Sequence, residues 1–399
     1  MTYIIGISAY YHDSACALIK NGEIISAVQE ERFTRKKHDS GFPLNSLKWI
    51  LADNLISLKD IEYIVFYEKP FLKFERIIES YMALSPFGIR SFLRFIPEWI
   101  TKKIFLKDLI IKELNKLESL KSLNKKIFFS EHHMSHAASA FYPSPFKNSA
   151  ILTLDGVGEW DTSTISIGRE KKICIKNKIF YPHSIGLLYS AFTYYLGFKV
   201  NEDEYKVMGL APYGKPIYKD LIIKELISLK EDGSFRMNLK YFNYATGFTM
   251  TNKKFSKLFG KNVRKKSETI NEFHMDVASS IQKVIELIII KISKYIKKEF
   301  NEENLCLAGG VALNCVANGK ILKEKIFKNI WIQPAAGDAG GSLGAALGYW
   351  YNELKMERSN KNIDSMKCSY LGPEYSNKKI KDMLINIGTK FVYFENDKL

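Results

Sequence analysis

Long hydrophobic runs are missing from this 399-residue sequence. Its greasiest stretches, Tyr63 to Tyr67 and Leu287 to Ile290, fall far short of the ~20 apolar residues that a helix needs to cross a bilayer. The opening MTYIIGISAYYHD has no basic region ahead of its apolar stretch, so it does not read as a secretory signal. Cysteine is scarce. Cys16, Cys174, Cys306, Cys315 and Cys368 are odd in number, widely scattered and without a C-x-x-C pair. That pattern reads as free, mostly buried thiols in a reducing cytoplasm. Acidic residues are in deficit, 43 Asp plus Glu against 59 Lys plus Arg, for a net charge of +16. Such a balance favours anionic partners such as nucleotides, acyl phosphates, RNA or acidic membrane. The lysines are dispersed, however, which an AT-rich coding bias explains as well. What remains is 46% apolar and 26% charged, a globular composition that excludes a disordered or collagen-like chain. The length suits two or three domains.

Two segments share an outline. Tyr3–Ser8 is an apolar run, followed by Ser14–Ile19, the turn Lys20-Asn21-Gly22 and Glu23–Val28. Asn-Gly between apolar runs signals a hairpin, because both residues tolerate positive φ. Later, Ala150–Leu154 ends at Asp155-Gly156 and is followed by Thr162–Ile167 and Lys172–Ile179. Gly6 to Thr153 and Asp13 to Asp161 are separated by nearly equal intervals. The reading is a duplication, two lobes each opened by a strand, a loop and a hairpin.

Between the two lies a mostly helical stretch, Leu44 to Lys126, with basic amphipathic patterning in Leu72–Leu93 and Ile100–Leu120. Such a stripe is able to lie on a membrane surface, but the expectation is packing against a core. His183–Gly197 reads as a short aromatic helix. Phe273–Phe300 reads as a long one, with Phe273, Val277, Ile281, Val284, Ile288 and Ile292 on one face. Two strand–turn–helix units follow. Leu305–Ala308 runs into Gly309-Gly310-Val311 with a helix from Ala312, and Asn329–Gln333 runs into Ala335–Gly341 with a helix from Ser342. Such turns present backbone N–H groups and a helix dipole to an anion.

The sharpest chemical signal is Glu131-His132-His133-Met134-Ser135-His136. His132 and His136 stand at i and i+4, on one helical face, and are able to share a metal, while His133 points elsewhere. No Glu follows the first His, so this is not the H-E-x-x-H pattern of metalloproteases. Asp155 in L-D-G-V-G-E-W and Asp338 in A-A-G-D-A-G-G-S follow strands. They either converge on a cleft between lobes or serve as turn formers. Two His and two Asp form a mixed set suited to Fe, Mn or Zn and less to Ca or Mg. His12, in Y-Y-H-D-S-A, suits an acid, a base or an anion donor. The basic stretch Glu30–His38, which includes Lys37, is either a phosphate clamp or solvated surface. Asn201–Gly214, which includes Gly209, reads as a shaped loop near a ligand.

Seven stretches in order resemble the NodU/CmcH-type O-carbamoyltransferases. They are G-I-S-A-Y-Y-H-D-S-A-C-A-L, E-E-R-F-T-R-K-K-H, H-H-M-S-H-A-A-S-A-F, L-D-G-V-G-E-W, E-Y-K-V-M-G-L-A-P-Y-G, G-G-V-A-L-N-C-V-A-N and G-D-A-G-G-S-L-G-A-A. The resemblance covers residues 3 to about 373. It implies an α/β, two-lobed fold of the actin, sugar-kinase and Hsp70 type, with duplicated ribonuclease-H-like lobes. The first lobe would span 1–148 with a helical insertion at 44–126, and the second 149–369. Residues 370–399 would be a linker and the start of a truncated C-terminal YrdC-like domain, because Glu374–Ile387 reads as a helix and Lys390–Phe394 as a strand.

The resemblance also implies chemistry. Carbamoyl-adenylate, made from carbamoyl phosphate and ATP by a YrdC-like adenylating domain in cis or trans, would bind in the cleft. Its carbamoyl group would pass to a hydroxyl of a small metabolite or sugar. His132, His136, Asp155 and Asp338 would hold a divalent metal, Fe2+ first and Mn or Zn as alternatives. His12 and Lys37 would stand beside the reacting group. Gly309, Gly310, Val311, Asn314 and Asn318, with Gly156 and Gly209, would bind the nucleotide. The acceptor pocket would be built from Leu44–Lys126 and nearby loops. Two rivals stand beside this reading. A kinase or ATPase of the same fold would need no His/His/Asp/Asp site. A tRNA-binding relative of threonylcarbamoyl-transfer proteins is compatible with the charge, but no RNA-recognition motif is present.

Overall fold

The computed structural model describes residues 1–358 and 363–394. The first apolar runs form β1 (Tyr3–Ser8), β2 (Ala15–Lys20) and β3 (Glu23–Gln29). Asn21 and Gly22 turn the hairpin with φ of 49° and 83°, the left-handed conformation that such a turn requires. β4 (Ile61–Phe66) and β5 (Ile127–Phe129) add in parallel beside β1, so the sheet order is β3-β2-β1-β4-β5. β6 (Asn148–Leu154), β7 (Asp161–Arg169) and β8 (Lys172–Phe180) open a second sheet. After a small pair, β9 (Ile227–Leu229) with β10 (Phe235–Met237), that sheet is completed by β11 (Asn304–Ala308) and β12 (Asn329–Ile332). Its order, β12-β11-β6-β7-β8, repeats the first sheet strand for strand, two antiparallel and two parallel pairings in each. The duplication is therefore one of topology.

The stretch 44–126 is more than a helical insertion. It holds α1 (Leu44–Asp53), α2 (Pro70–Ala83), α3 (Ile89–Glu98) and α4 (Leu106–Leu114), but also β4, which stands beside β1 in the sheet. Ile61, Ile64, Val65 and Phe66 are all buried, so the run lacks the alternation that marks a half-exposed strand. Glu30, in the basic stretch, is buried too. Its carboxylate accepts hydrogen bonds from the backbone N–H and side chains of Asn45 and Ser46 at 2.7–3.0 Å, and so fastens the start of α1.

Further helices are α5 (His132–Phe141), α6 (Ile185–Tyr195), α7 (Glu204–Leu210), α8 (Glu272–Phe300), α9 (Cys315–Lys323), α10 (Asp338–Gly348) and α11 (Asn377–Asn386). α8 begins at a reciprocal cap between Asn271 and His274 and buries the apolar face read from its sequence. α9 starts at Cys315, not Ala312, because a 3-10 turn over Gly310–Leu313 intervenes and Asn314 caps the helix.

α5 and α10 pack against each other in the middle of the molecule, and each crosses to the other sheet. α5 follows β5 but lies on β6, β7 and β11, whereas α10 follows β12 but lies on β1, β2 and β4. Leu343, Ala345, Ala346 and Leu347 of α10 share one core with the first sheet. A division at residue 148 thus separates the sheets but not the cores. α10 also begins at Asp338, four residues ahead of the expected Ser342. Glycine disfavours helix interiors by about 1 kcal/mol, which hid this start. Here Gly344 lets the helix approach the Ser135 carbonyl, and Gly6 lets β1 approach that of Ser342, at distances that a Cβ would close off.

Cys16 and Cys306 are buried, but Cys315 and Cys368 are exposed, against the expectation of mostly buried thiols. At the C-terminal end, Leu371 O accepts from Ala27 N (2.9 Å), so the linker lies along edge strand β3. The expected strand Lys390–Phe394 does not form: these side chains are exposed, and no strand pairs with them among the described residues. Residues 395–399 lie outside the described residues.

The α5–α10 contact carries a test. Gly344→Leu should lower stability by about 3 kcal/mol or abolish folding, because the added atoms meet backbone that cannot yield. Gly319→Ala, in α9 with open space around it, should raise stability by about 0.5 kcal/mol. Urea unfolding distinguishes the two, and equal effects would refute the packing argument.

Candidate functional site

α5 begins where Glu159 accepts the backbone N–H of His132 at 3.0 and 3.1 Å. One turn then carries His132 and His136 to the same face, both buried. Asp155 follows β6, its backbone N–H held by Thr162 O (3.0 Å). Asp338 is the first residue of α10, where the helix dipole favours a carboxylate. These four side chains converge. His132 Nε2 lies 3.0 Å from Asp155 Oδ2, 3.0 Å from His136 Nε2 and 3.6 Å from Asp338 Oδ1. His136 Nε2 lies 3.8 Å from Asp155 Oδ2 and 3.6 Å from Asp338 Oδ1.

The donor set fits one metal ion. Four ligands at 2.0–2.2 Å from a tetrahedral centre stand about 3.3–3.6 Å apart, and the observed separations bracket that value. Four electron-rich atoms crowded at a buried point need positive charge between them. Protons supply part of it. Burial opposes the charge on His136, but hydrogen bonds to Asp155 and Asp338 raise its pKa to about 9. Burial likewise works against ionised Asp155, yet hydrogen bonds from His132 and His136 hold its carboxyl well below the usual range. Nδ1 of His132 and of His136 is buried and has no hydrogen-bond partner among the described residues, so the Nε2 atoms engage the cluster. His133 is turned away, 2.8 Å from Thr153 Oγ1, and burial lowers its pKa far enough to leave it neutral.

A cavity of about 270 Å³ opens beside the cluster. His12, Lys37, Asp155, Gly156, Gly310, Val311, Asn314 and Asp338 all line it, so five separate stretches of sequence meet there in these residues alone. Gly309, Asn318 and Gly209 do not reach it. Gly309, at φ 89°, lets the turn press on the Leu154 backbone. Asn318 Nδ2 donates to Ala312 O (2.7 Å) and braces the same turn. Gly209 sits in α7, where its neighbour Met208 faces the cavity instead. Some of the lining groups already have partners within the chain. The Gly310 N–H already donates to Asp155 Oδ1 (3.0 Å), and the Asn314 amide is paired with Gln282 (3.0 and 3.1 Å). Lys37 Nζ sits over the Tyr205 ring, 5.0 Å from its centre, and not on the His/Asp cluster.

His12 Nε2 is 3.7 Å from Asp338 Oδ2, and its Nδ1 is 2.8 Å from Asp13 Oδ2. Burial opposes its charge, but Asp338 and Asp13 together raise its pKa to about 9. Asp13 also holds His38 Nδ1 at 2.6 Å. Neither Asp13 nor His38 stood out in the sequence, although both lie inside noted motifs, because their pairing spans 25 residues. On the far side, α2 brings Lys73 to Glu68 (2.6 Å) and Arg76 to Gly158 O (2.9 Å), so the helical stretch does border the site.

Duplicated lobes joined through two crossing helices, with a cavity between them, define an actin-like ATPase fold. Within that class, the model of the carbamoyltransferase N-terminus family matches residues 3–347, and the chain belongs to that family. It is 54% identical to protein sll1178 of Synechocystis sp. over 394 residues, covering 98% of this chain and 64% of that protein. It is 33% identical to nodulation protein NolNO of Sinorhizobium fredii over 387 residues, 96% of this chain and 52% of that protein. The chain thus spans between about half and two thirds of the length of these relatives. Among solved structures, HypF of T. kodakarensis superposes with a TM-score of 0.46 at 14% identity, over 91% of this chain and 50% of that one.

Elemental analysis of untagged protein should find about one transition-metal ion per chain. His136→Ala and Asp338→Asn should each lose it, while His133→Ala should keep it. Because binding must displace protons from the imidazoles, retention should fall as pH falls. Equal metal content in all four proteins would refute the site.

Proposed function

We propose that this chain transfers a carbamoyl group from carbamoyl-adenylate to a hydroxyl group of a small metabolite or sugar. Membership of the carbamoyltransferase family supports the reaction class. The observation that carries the reading is the meeting of His132, His136, Asp155 and Asp338 beside a cavity that Asp155 and Asp338 line and that both lobes border. Those four side chains would hold a divalent metal, with iron, manganese and zinc all compatible with two nitrogens and two carboxylates. When bound, such an ion acts as a Lewis acid toward carbonyl or phosphoryl oxygen.

The chain's own residues divide the remaining work. The acceptor oxygen attacks the carbamoyl carbon, the carbon–oxygen bond to the phosphate breaks, AMP departs and the hydroxyl proton must be taken up. His12 would take that proton at Nε2, a role supported by Asp13, which holds the ring through Nδ1. While Asp338 acts on it directly, His12 is a protonated donor. A cation held by Asp338 would weaken that pull, and His12 would then be free to take up the proton. Lys37, at the cavity wall on a flexible stem, is able to swing from Tyr205 to a phosphate. With the Gly310 N–H spent on Asp155, cationic side chains become more important for the anion than backbone donors. The adenylate itself would come from a YrdC-like adenylating domain, in cis or in trans.

The test is AMP release from supplied carbamoyl-adenylate with a panel of hydroxylated acceptors. Acceptor-dependent release is expected, reduced about 10²–10⁴-fold in His12→Ala. Lys37→Ala should chiefly weaken binding of the adenylate. Absence of carbamoylated product across a broad panel with metal-loaded protein would overturn the reading.

A further inference from the structure

Helix α3 (Ile89–Glu98) carries its apolar stripe on the outside. At 100° per residue, Ile89, Leu93, Ile96 and Ile100 fall on one line, with Arg90 and Arg94 along its flank. A stripe of that kind is expected to pack inward, and this one does not. The helix meets the body through Ser91 and Trp99, both buried, and Ser91 Oγ donates to Gly88 O and Thr246 O. Ile89 and Leu93 are 60% and 66% exposed, and Phe87 in the preceding turn is 76% exposed. Met82, Ile100, Phe105 and Phe248 are exposed around them.

Charge around this face is predominantly positive. From Met82 to Lys107, Glu98 is the only acidic residue, and it pairs with Lys103 at 4.0 Å. Arg90 and Arg94 are exposed, and the Arg94 guanidinium lies 5.6 Å from the centre of the Phe248 ring. A protein partner would have to supply a pocket matching these exposed apolar side chains and their flanking arginines, whereas a lipid interface receives them as they stand. Among the described residues no helix is long and apolar enough to cross a membrane, so contact would be confined to the surface.

We propose that this face lies on an anionic phospholipid surface. Phe87, Ile89, Leu93 and Ile100 enter the boundary between headgroups and acyl chains, and Arg90 and Arg94 meet the lipid phosphates. α2, about 21 Å long, runs from the Glu68–Lys73 pair beside the metal cluster to this patch, so the lipid surface stands roughly one helix length from the cavity. The inference does not depend on the carbamoyl-transfer reading.

Co-sedimentation with vesicles tests it. The full chain should bind vesicles of phosphatidylcholine mixed with phosphatidylglycerol, bind phosphatidylcholine alone far more weakly, and lose affinity as salt rises. Ile89→Glu with Leu93→Glu should weaken binding at least about ten-fold. Arg90→Glu with Arg94→Glu, at exposed positions that leave folding intact, should remove the preference for anionic vesicles by about the same factor. The proposal is overturned if the wild-type chain binds neither vesicle, or if the arginine variant binds as well as wild type. It is also overturned if ultracentrifugation shows self-association that Leu93→Glu disperses while vesicle binding is absent, since the face would then join two copies of the chain.

Discussion

The approach of α5 to α10 is the constraint on which the rest of the molecule depends. Where Gly344 meets the Ser135 carbonyl, two helices run closer than side chains would permit. That approach brings two helix N-termini to one place. His132 and His136 arrive on one helix and Asp338 on the other, and Asp155 completes the set from the end of β6. Positive helix ends suit the carboxylates, and the carboxylates in turn suit imidazolium or a metal ion. The electrostatics of the site is therefore a consequence of packing density several residues away.

The exchange of helices between the sheets has a second consequence. Neither lobe owns a core free of the other, because α10 is buried on the first sheet and α5 on the second. The cavity lies where the segments that connect them meet, and its lining comes from both halves of the chain. Asp13 extends this coupling outward. It holds His12 and His38 at once, and His12 faces Asp338, so the turn after β1, the basic stretch and the His/Asp cluster form one continuous polar contact.

Much of this was legible along the sequence. The Asn21-Gly22 hairpin, the repeated strand outline, the H-x-x-x-H pair and the long face of α8 all rest on local periodicity, and local periodicity survives folding. What was not legible follows a pattern. β4 hid because Ile64, Val65 and Phe66, buried in succession, show no alternation. The start of α10 hid because glycines that permit close packing resemble glycines of a turn. Asn314 and the Gly310 N–H looked available to a ligand, but the protein itself uses them. The α3 stripe looked like a core face because amphipathicity says which side is apolar and not what lies against it.

By itself the sequence determined the inventory: two lobes of like outline, two imidazoles one helical turn apart, two carboxylates after strands and a surplus of positive charge. It could do so because turn chemistry and side-chain period act over a few residues. Tertiary structure alone decided that His132, His136, Asp155 and Asp338 share a point, that helices cross between sheets and that one apolar stripe faces solvent. Those outcomes depend on contacts between residues more than 200 positions apart, such as His132 with Asp338 and Gly6 with Ser342, and no local pattern encodes a distance across the fold.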